Sequence, residues 1–192
     1  MASTPHDLND DCSGPPHPIF AAVASPACPD HWKRAAHLID GYISWIEQAM
    51  GVDLTQYRKD NQDELGDLQG YYSWPTGHLI VGVVDGRIVG TTGVKLMEPG
   101  IAELRRMYVA PEGRGHGIAP MLLRAATRVS RQLGADVLRL ETMPWLMKDA
   151  VRMYLRAGFV PIQHYTPMGA QSHGAIAMEL RLPSDTELRA AS

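Results

Sequence analysis

Between Met107 and Ala119 the chain reads Met-Tyr-Val-Ala-Pro-Glu-Gly-Arg-Gly-His-Gly-Ile-Ala, an apolar strand carried through a proline stop into a glycine-rich turn and then directly into a helix. This order predicts an anion cradle. The first amides of a helix have no intrahelical partner and sit at the positive end of its dipole, so an anion docked there meets several donors at once. Gly113, Gly115 and Gly117 are expected to take positive φ and to let backbone approach a ligand with no Cβ in the way. Arg114 adds a permanent charge. The helix that follows, from Pro120 through Val129, carries its proline in the first turn, where a missing N–H costs least.

Three strand–loop–helix designs hold phosphates, and the residues separate them. A nucleotide-triphosphate loop needs Gly-Lys-Ser/Thr at the helix start, which is absent. A dinucleotide fingerprint begun at Gly113 or Gly115 would need glycine at Ile118 or Pro120; Glu141 nevertheless ends the next strand near the place of a ribose-binding acid, so that reading stays open. The third fits better. Arg114-Gly115-His116-Gly117-Ile118-Ala119 resembles the Arg/Gln-x-x-Gly-x-Gly/Ala motif of the GCN5-related N-acetyltransferases (GNAT), whose loop amides hold the pyrophosphate of acetyl-CoA. Ala150 to Phe159 resembles the family's second signature, a helix carrying a tyrosine and closing in Gly-Phe, and Ala102 to Val109 resembles its central strand. The resemblance covers about residues 78 to 182, with the motifs in the family's order.

That resemblance implies an α/β fold of the α+β type: one domain with a mixed, mostly antiparallel sheet flanked by helices and a splayed parallel pair, the fourth and fifth strands. The pantetheine arm would enter the gap, with Met107, Tyr108 and Val109 lending backbone groups, while Arg114, Gly115, His116, Gly117, Ile118 and Ala119 hold the pyrophosphate. It implies acetyl-CoA as co-substrate, no metal, and a small amine as acceptor, amino-acid-like or polyamine-like. Two alternatives remain, an acyl-CoA sensor without turnover and a protein-acetylating enzyme. A homodimer is left open.

Acyl transfer to an amine needs a neutral nucleophile, a donor for the oxyanion and a proton for the leaving thiolate. Glu103 matches the central-strand glutamate that serves some family members as base, directly or through water; its plainer reading is a solvated carboxylate paired with Arg105 on the same strand face. Tyr154 coincides with the family tyrosine that faces the coenzyme sulfur and is the expected acid, against the plainer reading of a core tyrosine with a satisfied hydroxyl. His116 is read as a solvated side chain near phosphate, Trp45 as core, and Trp145 as a candidate for the acceptor pocket. Many relatives carry an asparagine after the fifth strand, where this chain reads Met143-Pro144-Trp145-Leu146-Met147-Lys148.

The 192 residues, 45% hydrophobic, suffice for one core. A net charge of -3 with interspersed signs gives no basic stripe for nucleic acid, and the eight histidines show no zinc spacing. No apolar run is long enough to span a bilayer and no signal peptide is read, so a cytoplasmic protein without a membrane partner is expected. Cys12 and Cys28 are read as unpaired thiols. Residues 1–18, rich in proline, read as a disordered arm, 19–183 as the domain and 184–192 as a polar tail. Within the domain the pattern predicts a strand from Ile19, a helix capped by Asp30, a polar helix from Thr55 to Leu68, a hairpin turning at Asp85-Gly86, a strand from Ile101 to Val109, and strands at Val137–Thr142, near 160–164 and near 175–182.

Overall fold

The computed structural model describes residues 19–24, 28–166 and 174–183; the expected arm at 1–18 and tail at 184–192 lie outside them. The chain opens with β1 (Ile19–Val23) and α1 (Pro29–Met50). Cys28 occupies the N-cap position of α1, Pro29 is its first residue and Asp30 lies in the first turn. Asp30 is therefore no cap, although a carboxylate there still suits the helix dipole. Helix α1 turns Trp32, Ala35, Ile39 and Ile43 into the core, while Ala36 faces solvent and Trp45 is 37% exposed. The core reading of Trp45 is thus corrected: it falls outside the arc of α1 that carries the buried row. The unpaired-thiol reading fails too, because Cys28 is disulfide-bonded; Cys12, the chain's other cysteine, lies outside the described residues.

The predicted helix over Thr55–Leu68 is three short ones, α2 (Thr55–Asp60), α3 (Gln62–Leu65) and α4 (Leu68–Tyr71). Asn61 breaks the first by bonding its side-chain amide to the Tyr57 carbonyl, and Asp67 starts the third by accepting the Gly70 amide at 2.8 Å. The hairpin β2 (Gly77–Val84) and β3 (Arg87–Glu98) turns at Asp85 and Gly86, both at positive φ, as a two-residue turn of the primed kind requires. Then come β4 (Ile101–Val109), a 3₁₀ turn at Pro111–Gly113, α5 (Ile118–Gln132), β5 (Val137–Thr142), α6 (Lys148–Arg156), β6 (Val160–Ile162) and β7 (Ile176–Arg181).

The strands form one seven-stranded sheet in the order β1-β2-β3-β4-β5-β7-β6, antiparallel throughout except for the parallel pair β4–β5. Each face is covered. Alternation along β2 sends Leu79, Val81 and Val83 to the layer of α1 and α4, and Ile80 to the layer of α5 and α6. Ile118, Leu122 and Val129 of α5 are buried against that second face, each side chain contributing about 1.5–3 kcal/mol over an exposed one.

Gly93 is chosen by contact. A Cβ there would stand 2.3 Å from the ring of Tyr72, a fully buried side chain lying across β3. Gly93→Ala is expected to lower unfolding free energy by about 1–3 kcal/mol, as overpacking does; urea denaturation that gives wild-type stability would contradict this packing.

Candidate active site

Strand β4 carries one residue too many for its neighbour. Thr91 of β3 faces Tyr108 and Gly93 faces Arg105, so two steps along β3 match three along β4. The extra residue is a bulge at Arg106, whose φ of 53° lies in the left-handed region, at a cost of about 1–3 kcal/mol for a non-glycine residue. The bulge resets alternation. Ala102 and Leu104 face the α5 layer, and after the bulge it is Met107 and Val109 that do so, while Tyr108 stacks on Tyr42 of α1 with ring centroids 5.2 Å apart.

Glu64 of α3, 1% exposed, holds this bulge. Its two oxygens accept Arg106 Nε at 2.7 Å, a second Arg106 nitrogen and an Arg105 nitrogen at 2.8 Å each, Arg105 Nε at 3.0 Å and the Tyr72 hydroxyl at 2.5 Å. Arg106 also donates to Tyr57, and both guanidiniums reach Asn61 Oδ1. Burial opposes the charge on Glu64, but the hydrogen bonds and charge of Arg106, with the charge of Arg105, outweigh it and hold the carboxyl below its ordinary range. Sequence reading missed Glu64. Its only local sign was a polar segment, and the ion cluster joins residues some forty positions apart.

The second local feature is the separation of β4 and β5. They pair at Ile101–Val137, Ala102–Leu138 and Glu103–Arg139 and no further, so the rest of β4 leaves β5. Below the divergence lies a cavity of about 540 Å³, lined by Glu103, Met107, Glu141 and Tyr154 together with α1 and α2. Glu103 is 5% exposed; Arg105 bonds it at 2.5 Å and the Tyr165 hydroxyl at 2.9 Å. The expected pairing with Arg105 is present, but Glu103 is buried at the cavity wall and not solvated. Tyr154, likewise 5% exposed, packs its ring on Phe159 and makes no hydroxyl hydrogen bond among the described residues. Burial, and next the Tyr42 phenol, push its hydroxyl well above the ordinary tyrosine range, so it stays protonated. Helix α6 delivers Tyr154 because Gly158, just past its C-cap Ala157, has a φ of 93° that closes the helix and lets the Phe159 amide bond back to the Tyr154 carbonyl at 3.1 Å.

The predicted cradle sits where β4 ends. Gly115 and Gly117 have φ of 79° and 73°, and a Cβ on either would meet no protein atom within 4 Å. Among the described residues the amides of Gly115, His116, Gly117, Ile118 and Ala119 meet no backbone acceptor; the first α5 bond runs from the Met121 amide to the Gly117 carbonyl. Gly113 plays another part than expected: its φ is not positive, and a Cβ there would lie 2.6 Å from Val89. Arg114 folds back to donate to the Val109 carbonyl at 3.3 Å, and the exposed His116 ring contacts the Arg114 carbonyl. Trp145, 49% exposed, is absent from the cavity wall; Met143 and Met147 stand there instead, and Met147 sulfur accepts the Tyr42 and Thr142 hydroxyls at 3.6 Å. No helix of the described residues is long and apolar enough to cross a membrane, and none of their His, Cys, Asp and Glu form a group that could hold a metal.

Residues 45–159 match the model of the acetyltransferase (GNAT) family. An uncharacterized N-acetyltransferase of Schizosaccharomyces pombe is 32% identical over 148 residues, 76% of this chain and 85% of that one. An uncharacterized N-acetyltransferase of Escherichia coli is 33% identical over 112 residues, 57% of this chain and 65% of the relative. Among solved structures, a GNAT-family acetyltransferase of Staphylococcus aureus superposes with a TM-score of 0.66 at 18% identity, covering 86% of this chain and 99% of that one. The PaiA N-acetyltransferase of Thermoplasma acidophilum, solved with coenzyme A, superposes at 0.63 and 17% identity over 85% and 98% of the two chains.

The Glu64 cluster carries a pH signature. A carboxyl held below its ordinary value of 4.5 contributes stability that is complete above 4.5 and lost as pH falls through the folded value. Glu64→Gln is expected to cost about 3–5 kcal/mol near neutrality, since the buried Arg106 and half-buried Arg105 guanidiniums lose their shared anion. The deficit against wild type should narrow as pH drops below 4.5. Urea titrations across pH 3–7 that return a constant deficit would count against the charged state assigned to Glu64.

Proposed function

Because the chain belongs to the acetyltransferase (GNAT) family, we propose that it moves an acetyl group from acetyl-CoA to the amine of a small molecule. One observation carries this reading: the protonated hydroxyl of Tyr154, without a hydrogen bond among the described residues, and the carboxylate of Glu103 border the same cavity at the strand divergence. A volume of about 540 Å³ suits a small-molecule site.

The residues fit the coenzyme. Gly115 to Ala119 offer amides with no backbone acceptor among the described residues at the positive end of α5, and the two glycines leave the approach clear, which suits a pyrophosphate. Met107, Tyr108 and Val109 lie on the part of β4 that has left β5, where an extended pantetheine arm can pair with a strand edge. When bound, acetyl-CoA supplies an activated thioester.

This chain's own groups supply the proton traffic. A primary amine arrives protonated near neutral pH, and Glu103 removes that proton directly or through a water. Arg105 and Tyr165 fix the carboxylate's position for this task. Tyr154 holds the proton destined for the departing sulfur. Its neighbours on α6 and Phe159 are packed closely enough to keep the ring in one place, so the donor does not have to be ordered during the reaction.

Release of free thiol from acetyl-CoA, measured across a panel of small amines, tests the reading as a whole; no release with any amine would favour a sensor that binds without turnover. Tyr154→Phe is expected to keep coenzyme affinity and lower turnover by about 10²–10⁴-fold, and wild-type turnover in single-turnover kinetics would remove Tyr154 as the acid. For Glu103→Gln the loss should be greatest near neutral pH and shrink at high pH, where free amine is abundant. A loss equal at every pH would leave Glu103 only a positioning role.

A further inference from the structure

Among the described residues the charges at the cavity do not cancel. Glu64 and Glu103 are matched by Arg105 and Arg106, and those guanidiniums direct their nitrogens at Glu64, Glu103, Asn61 and Tyr57. Glu141 has no arginine or lysine partner among the described residues, and only His164 stands near it as a potential cation. Glu141 stands on β5 just past the last β4–β5 pair, and the alternation that continues from Arg139 puts it on the sheet face of Glu103. Its carboxylate accepts Thr166 Oγ1 at 2.6 Å and has a 3.5 Å contact with His164 Nδ1, and no guanidinium or ammonium bonds it among the described residues. Asp60, at the α2 side of the cavity, adds a further negative charge, accepting only a neutral amide from Gln56 at 2.7 Å.

The segment after β6 ties the two carboxylates together. Three successive residues reach them: His164 and Thr166 contact Glu141, and Tyr165 bonds Glu103. Both carboxylates push the Tyr165 phenol upward after burial has done so, which places the two anions in one electrostatic field. Tyr154, 5% exposed and with no hydroxyl hydrogen bond among the described residues, borders the same cavity.

We infer that Glu141 anchors a second, protonated nitrogen of the acceptor, so that the site selects a diamine or polyamine over a monoamine or a carboxylate-bearing amino acid. The inference rests on the acetyl-transfer reading above, in which the reacting amine sits at Glu103 and Tyr154. One acceptor nitrogen loses its proton at Glu103. Another keeps its charge and pairs with Glu141, which Thr166 holds in place. An acceptor carboxylate would meet the unbalanced anions Glu141 and Asp60 and be repelled.

The test uses the full chain saturated with coenzyme A, titrated in a calorimeter with spermidine, 1,4-diaminobutane, butylamine and glutamate, with parallel acetylation assays. Wild type should bind 1,4-diaminobutane at least tenfold more tightly than butylamine, and glutamate more weakly than either. Glu141→Gln should reduce the ratio of kcat/KM for the diamine over the monoamine by about tenfold, acting through KM, while coenzyme A affinity holds; Glu141→Asp should recover part of the preference. A diamine preference that survives Glu141→Gln, or its absence in wild type, overturns the inference alone, as does failure of all the amines to bind. A fall in kcat with KM unchanged would instead give Glu141 a proton-transfer role and also overturn the anchor. Failure of coenzyme A to bind the folded wild type would overturn the acetyl-transfer reading with it.

Discussion

The site depends on one buried carboxylate meeting two consecutive arginines. Ideal alternation would send Arg105 and Arg106 to opposite faces of the sheet. Glu64 draws both to the same side, and β4 accommodates this with a left-handed Arg106 and an extra residue. The strained backbone is offset by charge-assisted hydrogen bonds in a site with little access to water, where such bonds are strongest. From the bulge follow the placement of Tyr108 against α1 and of Met107 toward the α5 layer. The short helices α2 to α4 owe their position to the same contact, since Tyr57, Asn61, Glu64 and Tyr72 all join it. Acceptor-side elements are thereby fixed to the strand that would hold the coenzyme.

Packing lets this polar cluster persist. Tyr72 reaches Glu64 only because Gly93 leaves no Cβ beneath its ring. Removing Glu64 or one of its two arginines leaves the remaining charges unbalanced, which makes the cluster a determinant of geometry more than a source of net stability.

Much of this was legible in the chain. The Asp85-Gly86 turn, the strand from Ile101 to Val109, the glycine-rich turn into α5 and the Gly-Phe closure of α6 are written in local residues whose backbone needs are specific, and each is found where those residues stand. What could not be read was set at long range. Alternation alone cannot announce a bulge, because the sequence Leu-Arg-Arg-Met looks like an ordinary half-buried strand. Glu64 resembled a solvated residue of a polar helix; its burial depends on arginines on another element. Trp145, beside a strand end, was a reasonable pocket residue by position, yet the chain turns its ring outward and leaves Met143 and Met147 on the wall. Glu103 was assigned to the right face, but its burial and its bond to Tyr165 come from a segment 62 residues away.

In the proposed division of labour, amides of the α5 loop hold an anion, while Tyr154 and Glu103 at the cavity wall move protons and Glu141 pairs with the remaining charge. All of it presumes that the loop at Gly115 and Gly117 is the coenzyme's anchor. Calorimetric titration of coenzyme A into wild type and Gly117→Val tests that most directly. A side chain at Gly117 would project into space that no protein atom occupies, and would strain a φ of 73°. Affinity is predicted to fall at least tenfold in a variant whose circular dichroism stays native. Unchanged affinity in that folded variant would contradict the account.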